Sequence, residues 1–207
     1  MKKTAVFLLL FLIPVLLPAQ VGNPKFIAGI SLANFHSVTG PYPEVSAVKT
    51  GLMAGIGGEV SFPRFLGEQG LISESTSIVE IDLLYIQKGC QSETGSIRGK
   101  FNLEELSLPF LFKYKFSPAS SPFILAGGEA ALVLSYRNTE GEALDLKPFI
   151  SSFDYGLIIG GGFQLCTDTF TANIEARYHY GLADLGKDES ESHFKTSTFV
   201  IAASFLF

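Results

Sequence analysis

Glu59, Glu80, Asp82, Glu105, Lys113, Lys115, Glu129, Glu175 and Arg177 are ionisable residues that fall at alternate positions of segments whose other positions are apolar. Charges enclosed among apolar neighbours need partners of opposite sign simply to exist there. They are read as a structural ion-pair network, with Lys113 set between the acids of the segment before it and Glu129 of the segment after it. A proton or ion path is the alternative chemistry. Imidazole is the usual side-chain base of neutral solution, so His179 could act as a general base, but a hydrolase would need a nucleophile beside it, and no Ser or Cys is forced into that place. It is read instead as an enclosed histidine paired with a carboxylate. His36 and His193 form no metal-ligand spacing with each other or with Cys. The glycine runs lead into no helix and lack the Gly-x-x-x-x-Gly-Lys pattern of a phosphate cradle. No catalytic residue, metal or cofactor is therefore expected.

The elements that must position these charges have a period of two, the mark of strands. Phe170, Ala172, Ile174, Ala176, Tyr178 and Tyr180 oppose Thr171, Asn173, Glu175, Arg177 and His179. Leu106, Leu108, Phe110, Phe112, Tyr114 and Phe116 oppose Glu105, Ser107, Lys113 and Lys115, and Leu52, Ala54, Ile56, Val60 and Phe62 oppose Met53, Glu59 and Ser61. Extending the pattern gives strands near 25–35, 48–62, 77–89, 101–116, 122–136, 153–166, 169–181 and 197–207. The connections 36–47, 90–100, 137–152 and 182–196 are long and polar, whereas 117–121 and 167–168 are short. The connection 63–76 is too long for a tight turn. An even count of strands with long loops at one end and short turns at the other is the plan of an up-and-down antiparallel barrel. Pro109 lacks a ladder donor, so a local bulge is expected there.

Charged residues make up 17% of the chain, fewer than in ordinary soluble domains, which implies that much of the outer surface does not face water. The apolar face is accordingly placed outside, toward lipid, and the charges inside. Aromatic residues near strand ends, such as Tyr114, Phe116, Tyr178 and Tyr180, fit interfacial girdles. A soluble carrier with its apolar face inward, binding a small apolar ligand, has the same alternation. Closure of the sheet follows from the lack of hydrogen-bond partners in hydrocarbon.

The N-terminal stretch has Lys2 and Lys3, an apolar run from Ala5 to Leu17, and the small residue Ala19. It is read as a secretory signal over 1–19, leaving the barrel domain over 20–207. The run is shorter than the roughly 20 residues of a spanning helix and contains Pro14 and Pro18. The formal charge of −5 becomes −7 when Lys2 and Lys3 leave with the signal, which argues against nucleic acid as a partner. Cys90 and Cys166 fall at opposite ends of the barrel, too far apart for a disulfide.

Four segments in order carry a family resemblance: Asp82–Gly89 (DLLYIQKG), Leu106–Tyr114 (LSLPFLFKY), Pro122–Gly128 (PFILAGG) and Ile174–Leu182 (IEARYHYGL). From about Lys25 to Phe207 the chain resembles the PorT-like outer-membrane β-barrel family common in Bacteroidetes. The resemblance implies an eight-stranded barrel in the bacterial outer membrane, with one namesake linked to protein secretion and gliding machinery. The terminal strand ending Phe205-Leu206-Phe207 resembles the signal read by the barrel-assembly machinery. The expected role is structural, adhesive or complex-forming, without pore or catalysis, with both termini in the periplasm. The expected partners are outer-membrane lipid, lipopolysaccharide, the assembly machinery and other envelope proteins. A lipid-modifying hydrolase is the second reading. The acidic stretch with Asp184, Asp188, Glu189 and Glu191 is expected to be a solvated loop, with a divalent cation shared with lipopolysaccharide phosphates as its alternative.

Overall fold

Alternating β-branched, aromatic and polar residues favour extended backbone, and an extended chain in lipid must pair every backbone N–H and C=O. The computed structural model describes residues 23–39, 47–62, 76–94, 97–138, 144–187 and 193–207, and the 1–19 segment lies outside these. The described residues form nine strands: β1 (Asn23–Thr39), β2 (Ala47–Ser61), β3 (Ser77–Thr94), β4 (Ile97–Lys115), β5 (Ser121–Asn138), β6 (Leu144–Asp145), β7 (Phe153–Cys166), β8 (Thr171–Gly181) and β9 (His193–Leu206). All neighbours are antiparallel, and β1 pairs with both β2 and β9 while β4 pairs with β5. The result is a closed eight-stranded up-and-down barrel, with β6 a two-residue arm on the end of β5. At the seam Phe26 on β1 faces Phe205 on β9, and the Phe207 N–H donates to the Pro24 carbonyl at 3.1 Å.

Asn23, Phe207, the connections 116–120 and 167–170 and the tips of β2 and β3 at Ser61 and Ser77 lie at one end, here the turn end; the β1–β2, β3–β4, β5–β7 and β8–β9 connections leave from the other, the loop end. Most of the expected 63–76 connection lies outside the described residues. The 90–100 connection is not a long loop: β3 and β4 continue to a Thr94–Ile97 pairing. Past the hydrocarbon a strand needs no apolar outer face, so Gln91 and Lys100 carried no mark of it. Nor does Pro109 make a bulge, since it stays opposite Glu129, and the β3–β4 ladder merely lapses there without changing register. The register shift in β4–β5 falls at Glu104/Glu105. His36 belongs to β1 rather than to a loop, and its ring stacks on Tyr180 at 4.6 Å. Cys90 is buried near the loop end, Cys166 sits at the turn end, and both are free thiols.

The orientation of the faces is unambiguous: Ile174, Ile201 and Phe110 are 68%, 53% and 50% exposed, whereas Glu80, Lys113 and Arg177 are 0% exposed. Aromatic pairs ring the outer surface at both ends, with Phe26–Phe207 and Tyr114–Phe116 at the turn end and Tyr178–Tyr180 and Phe153–Tyr155 at the loop end. Ile201, opposite Ile30 and Ala176, sits near the middle of the outer band. Ile201→Lys is expected to cost about 2–4 kcal/mol of folding stability in vesicles, because lipid solvates an ammonium poorly at mid-depth. Urea titration followed by tyrosine fluorescence checks it, and an unchanged midpoint would place Ile201 away from acyl chains.

Candidate functional site

The lumen is filled by two layers of charge, and backbone register explains the first. Lys25 on β1 lies opposite Gly57 on β2, which lies opposite Asp82 on β3. A Cβ on Gly57 would run into Asp82 Oδ1 and come within 2.7 Å of the Ile81 carbonyl, so the bare glycine is what lets Lys25 reach across β2. Its Nζ lies 2.6 Å from Glu80 Oε1 and 3.0 Å from Asp82 Oδ1. From the opposite wall Arg177 on β8 donates to Asp82 Oδ2 at 2.9 Å and Glu80 Oε1 at 2.5 Å, and meets Glu175 at 2.6 Å. Glu80 and Asp82 are two apart on one strand, so their side chains share a face and the guanidinium fork spans them. Lys113 pairs with Glu59 at 2.7 Å and sits 4.0 Å over the Phe123 ring. Asn173 donates to Glu59 and to Ser204 Oγ.

Nearer the loop end a second layer surrounds Lys88, which lies 2.8 Å from Glu105, 3.4 Å from Glu129 and 3.7 Å from Asp154. Ser107 donates to Glu129 Oε2 at 2.6 Å, and His179 Nδ1 meets the same oxygen at 3.0 Å. Serine, histidine and acid are therefore together but in the wrong order for nucleophile activation. The hydroxyl is bound to the carboxylate, and among the described residues His179 Nε2 meets no hydrogen-bond partner. Thr196 supports Asp154 at 3.0 Å.

Beyond this layer the loop end is closed by apolar side chains. Phe35, Tyr136 and Phe194 pack with centroids 4.5–6.3 Å apart, joined by Phe101, Leu103, Val133, Ile150, Ala183 and Leu185. Ile150 bridges to Gly186, and the Leu185 N–H donates to the Phe194 carbonyl, so the roots of two loops are stitched into the interior. The turn end instead holds an open polar cavity of about 380 Å³, lined in part by Glu59, Ser61, Lys115 and Gln164.

Of the nine charged residues singled out in the sequence, Glu59, Glu80, Asp82, Glu105, Lys113, Glu129, Glu175 and Arg177 lie in these layers, while Lys115 is half-buried at the cavity. Lys113 lies 4.0 Å from Glu80 on the strand before it and pairs with Glu59 two strands away rather than with Glu129, whose partners are Lys88, Ser107 and His179. Lys25, Lys88 and Asp154 complete the layers and were not singled out. Asp154 had a signal, since it alternates with Phe153 and Tyr155. Lys88 had none, because the inward positions before it, Leu84 and Ile86, belong to a separate apolar cluster with Ile27, Met53, Val200 and Ala202. His193 opens β9 and meets Asp184 at 2.9 Å; residues 188–192 lie outside the described residues. Among the described residues no group of three or more His, Cys, Asp or Glu is placed to hold a metal.

The model of the family described as "Outer membrane protein beta-barrel domain" matches residues 23–186. No curated protein matches the sequence. Among solved structures the fold is similar to the outer membrane protein OprG of Pseudomonas aeruginosa, with a TM-score of 0.50 and 12% identity over 90% of this chain and 96% of that one. It is also similar to Neisserial surface protein A, with a TM-score of 0.49 and 12% identity over 89% and 97% of the two chains. Ail, the attachment invasion locus protein of Yersinia pestis, gives 0.46 and 14% identity over 90% and 99%. Identities this low speak to fold alone, whereas the family match covers most of the barrel. The closed sheet, its apolar exterior and that match together make this chain a member of the outer membrane protein beta-barrel domain family.

Proposed function

We propose that this chain is a non-catalytic, non-conducting envelope barrel of the PorT-like kind, with its termini in the periplasm and its loop end outside the cell. One observation carries the reading: among the described residues the interior is packed with paired charges and capped toward the loop end by Phe35, Tyr136 and Phe194. A barrel of eight strands has room for side chains and little else. The binding of Ser107 and His179 to one carboxylate supports the absence of hydrolase chemistry. What such a barrel would present outside is then its loops, which fits an adhesive, structural or complex-forming role in the envelope, secretion included. Phe205 and Phe207, exposed on the outer face of β9, are the residues the assembly machinery would read, and removing them is expected to slow insertion.

Planar-bilayer recording with the purified chain tests this directly: no discrete conductance steps are expected. Stepwise currents in the folded protein would overturn the non-conducting reading. Carbonate-resistant membrane association, together with faster migration of the unheated protein on a detergent gel, checks the barrel itself. Lipid deacylation that is lost with His179→Ala would establish the hydrolase instead.

A further inference from the structure

The outer wall carries a polar recess just past the edge of its apolar band. Between Val48 and Met53 the β2–β3 ladder changes register. Opposite that shift Gly89 has φ 131°, a backbone conformation closed to side chains. A Cβ there would strike the Phe101 carbonyl and come within 3.0 Å of Lys49 Cδ. The shift and the bare glycine open a recess of about 330 Å³ lined by Lys49, Thr50, Gln87, Lys100, Asn102 and Glu104. Lys49 is buried, and its ammonium donates to the Lys88 carbonyl at 2.9 Å, which spends one of its three donors. The Gln87 amide is held by Tyr85 Oη and the Leu52 N–H. Burial and the neighbouring Lys100 work against the Lys49 charge, and Glu104 is the carboxylate of the lining that favours it.

Among the described residues the lining holds two ammoniums, two amides and a hydroxyl against one carboxylate, a donor-rich, cationic pocket on a chain whose net charge is −5. Toward the hydrocarbon the same strands present Leu52, 62% exposed, and Leu108. A ligand seated here would have its anionic head among donors and its tail along an oily wall.

We infer that this recess docks the phosphate headgroup of a membrane lipid. The inference rests on the membrane reading above and adds a site to it. Phosphate matches the donors, since charge-assisted N–H···O bonds to it are about twice as strong as neutral ones. The adjacent acyl surface selects a lipid over a free anion. Glu104 is the one unfavourable member, so neutralising it tightens the site.

Native mass spectrometry of the full chain in detergent micelles, titrated with dioleoyl phosphatidic acid, dioleoylglycerol and inorganic phosphate, tests it. The expected result is one tightly held phosphatidic acid. Its affinity falls about tenfold or more in the Lys49→Gln/Lys100→Gln variant, rises in Glu104→Gln and is unchanged in Lys147→Gln/Lys187→Gln. Equal binding by the Lys49→Gln/Lys100→Gln variant, or by dioleoylglycerol, overturns the proposal. Displacement of the lipid by equimolar inorganic phosphate reassigns the recess to free anions and overturns it too. Unheated gel mobility confirms that each variant is folded, and if the double variant is not, Lys100→Gln carries the test alone. A wild-type chain that shows no heat-dependent mobility would instead refute the membrane reading.

Discussion

Arg177→Met is expected to be the most damaging single substitution in this chain, lowering stability by about 3–5 kcal/mol, the usual cost of removing one partner from a buried ionic cluster. Glu80, Asp82 and Glu175 all lean on its guanidinium, and all are sealed from solvent. Lys25 would remain for two of them, but Glu175 has no other ion-pair partner within 4.0 Å among the described residues. The measurement is the urea midpoint of the fast-migrating band of protein folded into vesicles. Adding Asp82→Asn and Glu175→Gln to Arg177→Met is expected to restore part of the loss, since the carboxylates, not the missing packing, carry most of the penalty. A single variant with the wild-type midpoint, or a triple variant no better than the single, would mean that water already reaches this layer.

Gly57→Val should come close to it, at about 3–5 kcal/mol, for a steric reason with an electrostatic result. The new side chain occupies the gap through which Lys25 meets Asp82 and pushes the carboxylate off both its cations. Gly128→Ala is the control: its Cβ would meet nothing nearer than the Gly156 carbonyl at 3.5 Å, an ordinary contact, and the midpoint should move by less than about 1 kcal/mol. If both glycine variants behave alike, the effect belongs to backbone entropy rather than to the gap, and the account of Lys25 fails.

The sequence made the wall legible and the interior only in part. Leu52 through Phe62, Leu106 through Phe116 and Phe170 through Tyr180 mark their outer faces because lipid imposes one requirement on every outward position. No such common rule governs the lumen. Arg177 finds Asp82 from 95 residues away, and Lys113 closes on Glu59 at a separation of 54 while Glu80 on the adjoining strand stays at 4.0 Å. Those choices depend on side-chain reach and on which facing positions are glycine, as Gly57 is, and alternation carries neither. The ribbon of β3 and β4 past Lys88 was missed for the converse reason: once outside the hydrocarbon, a strand stops advertising its outer face.

Ile150, Ala183, Leu185 and Phe194 belong by sequence to loop roots, yet by packing they are the stopper of the barrel. Display and framework are therefore separable along a boundary drawn at those four side chains. Residues grafted between the roots leave the stopper in place, while any deletion that cuts into the roots uncorks the vessel. An engineer looking for a carrier of foreign epitopes would find the permitted cutting points already marked.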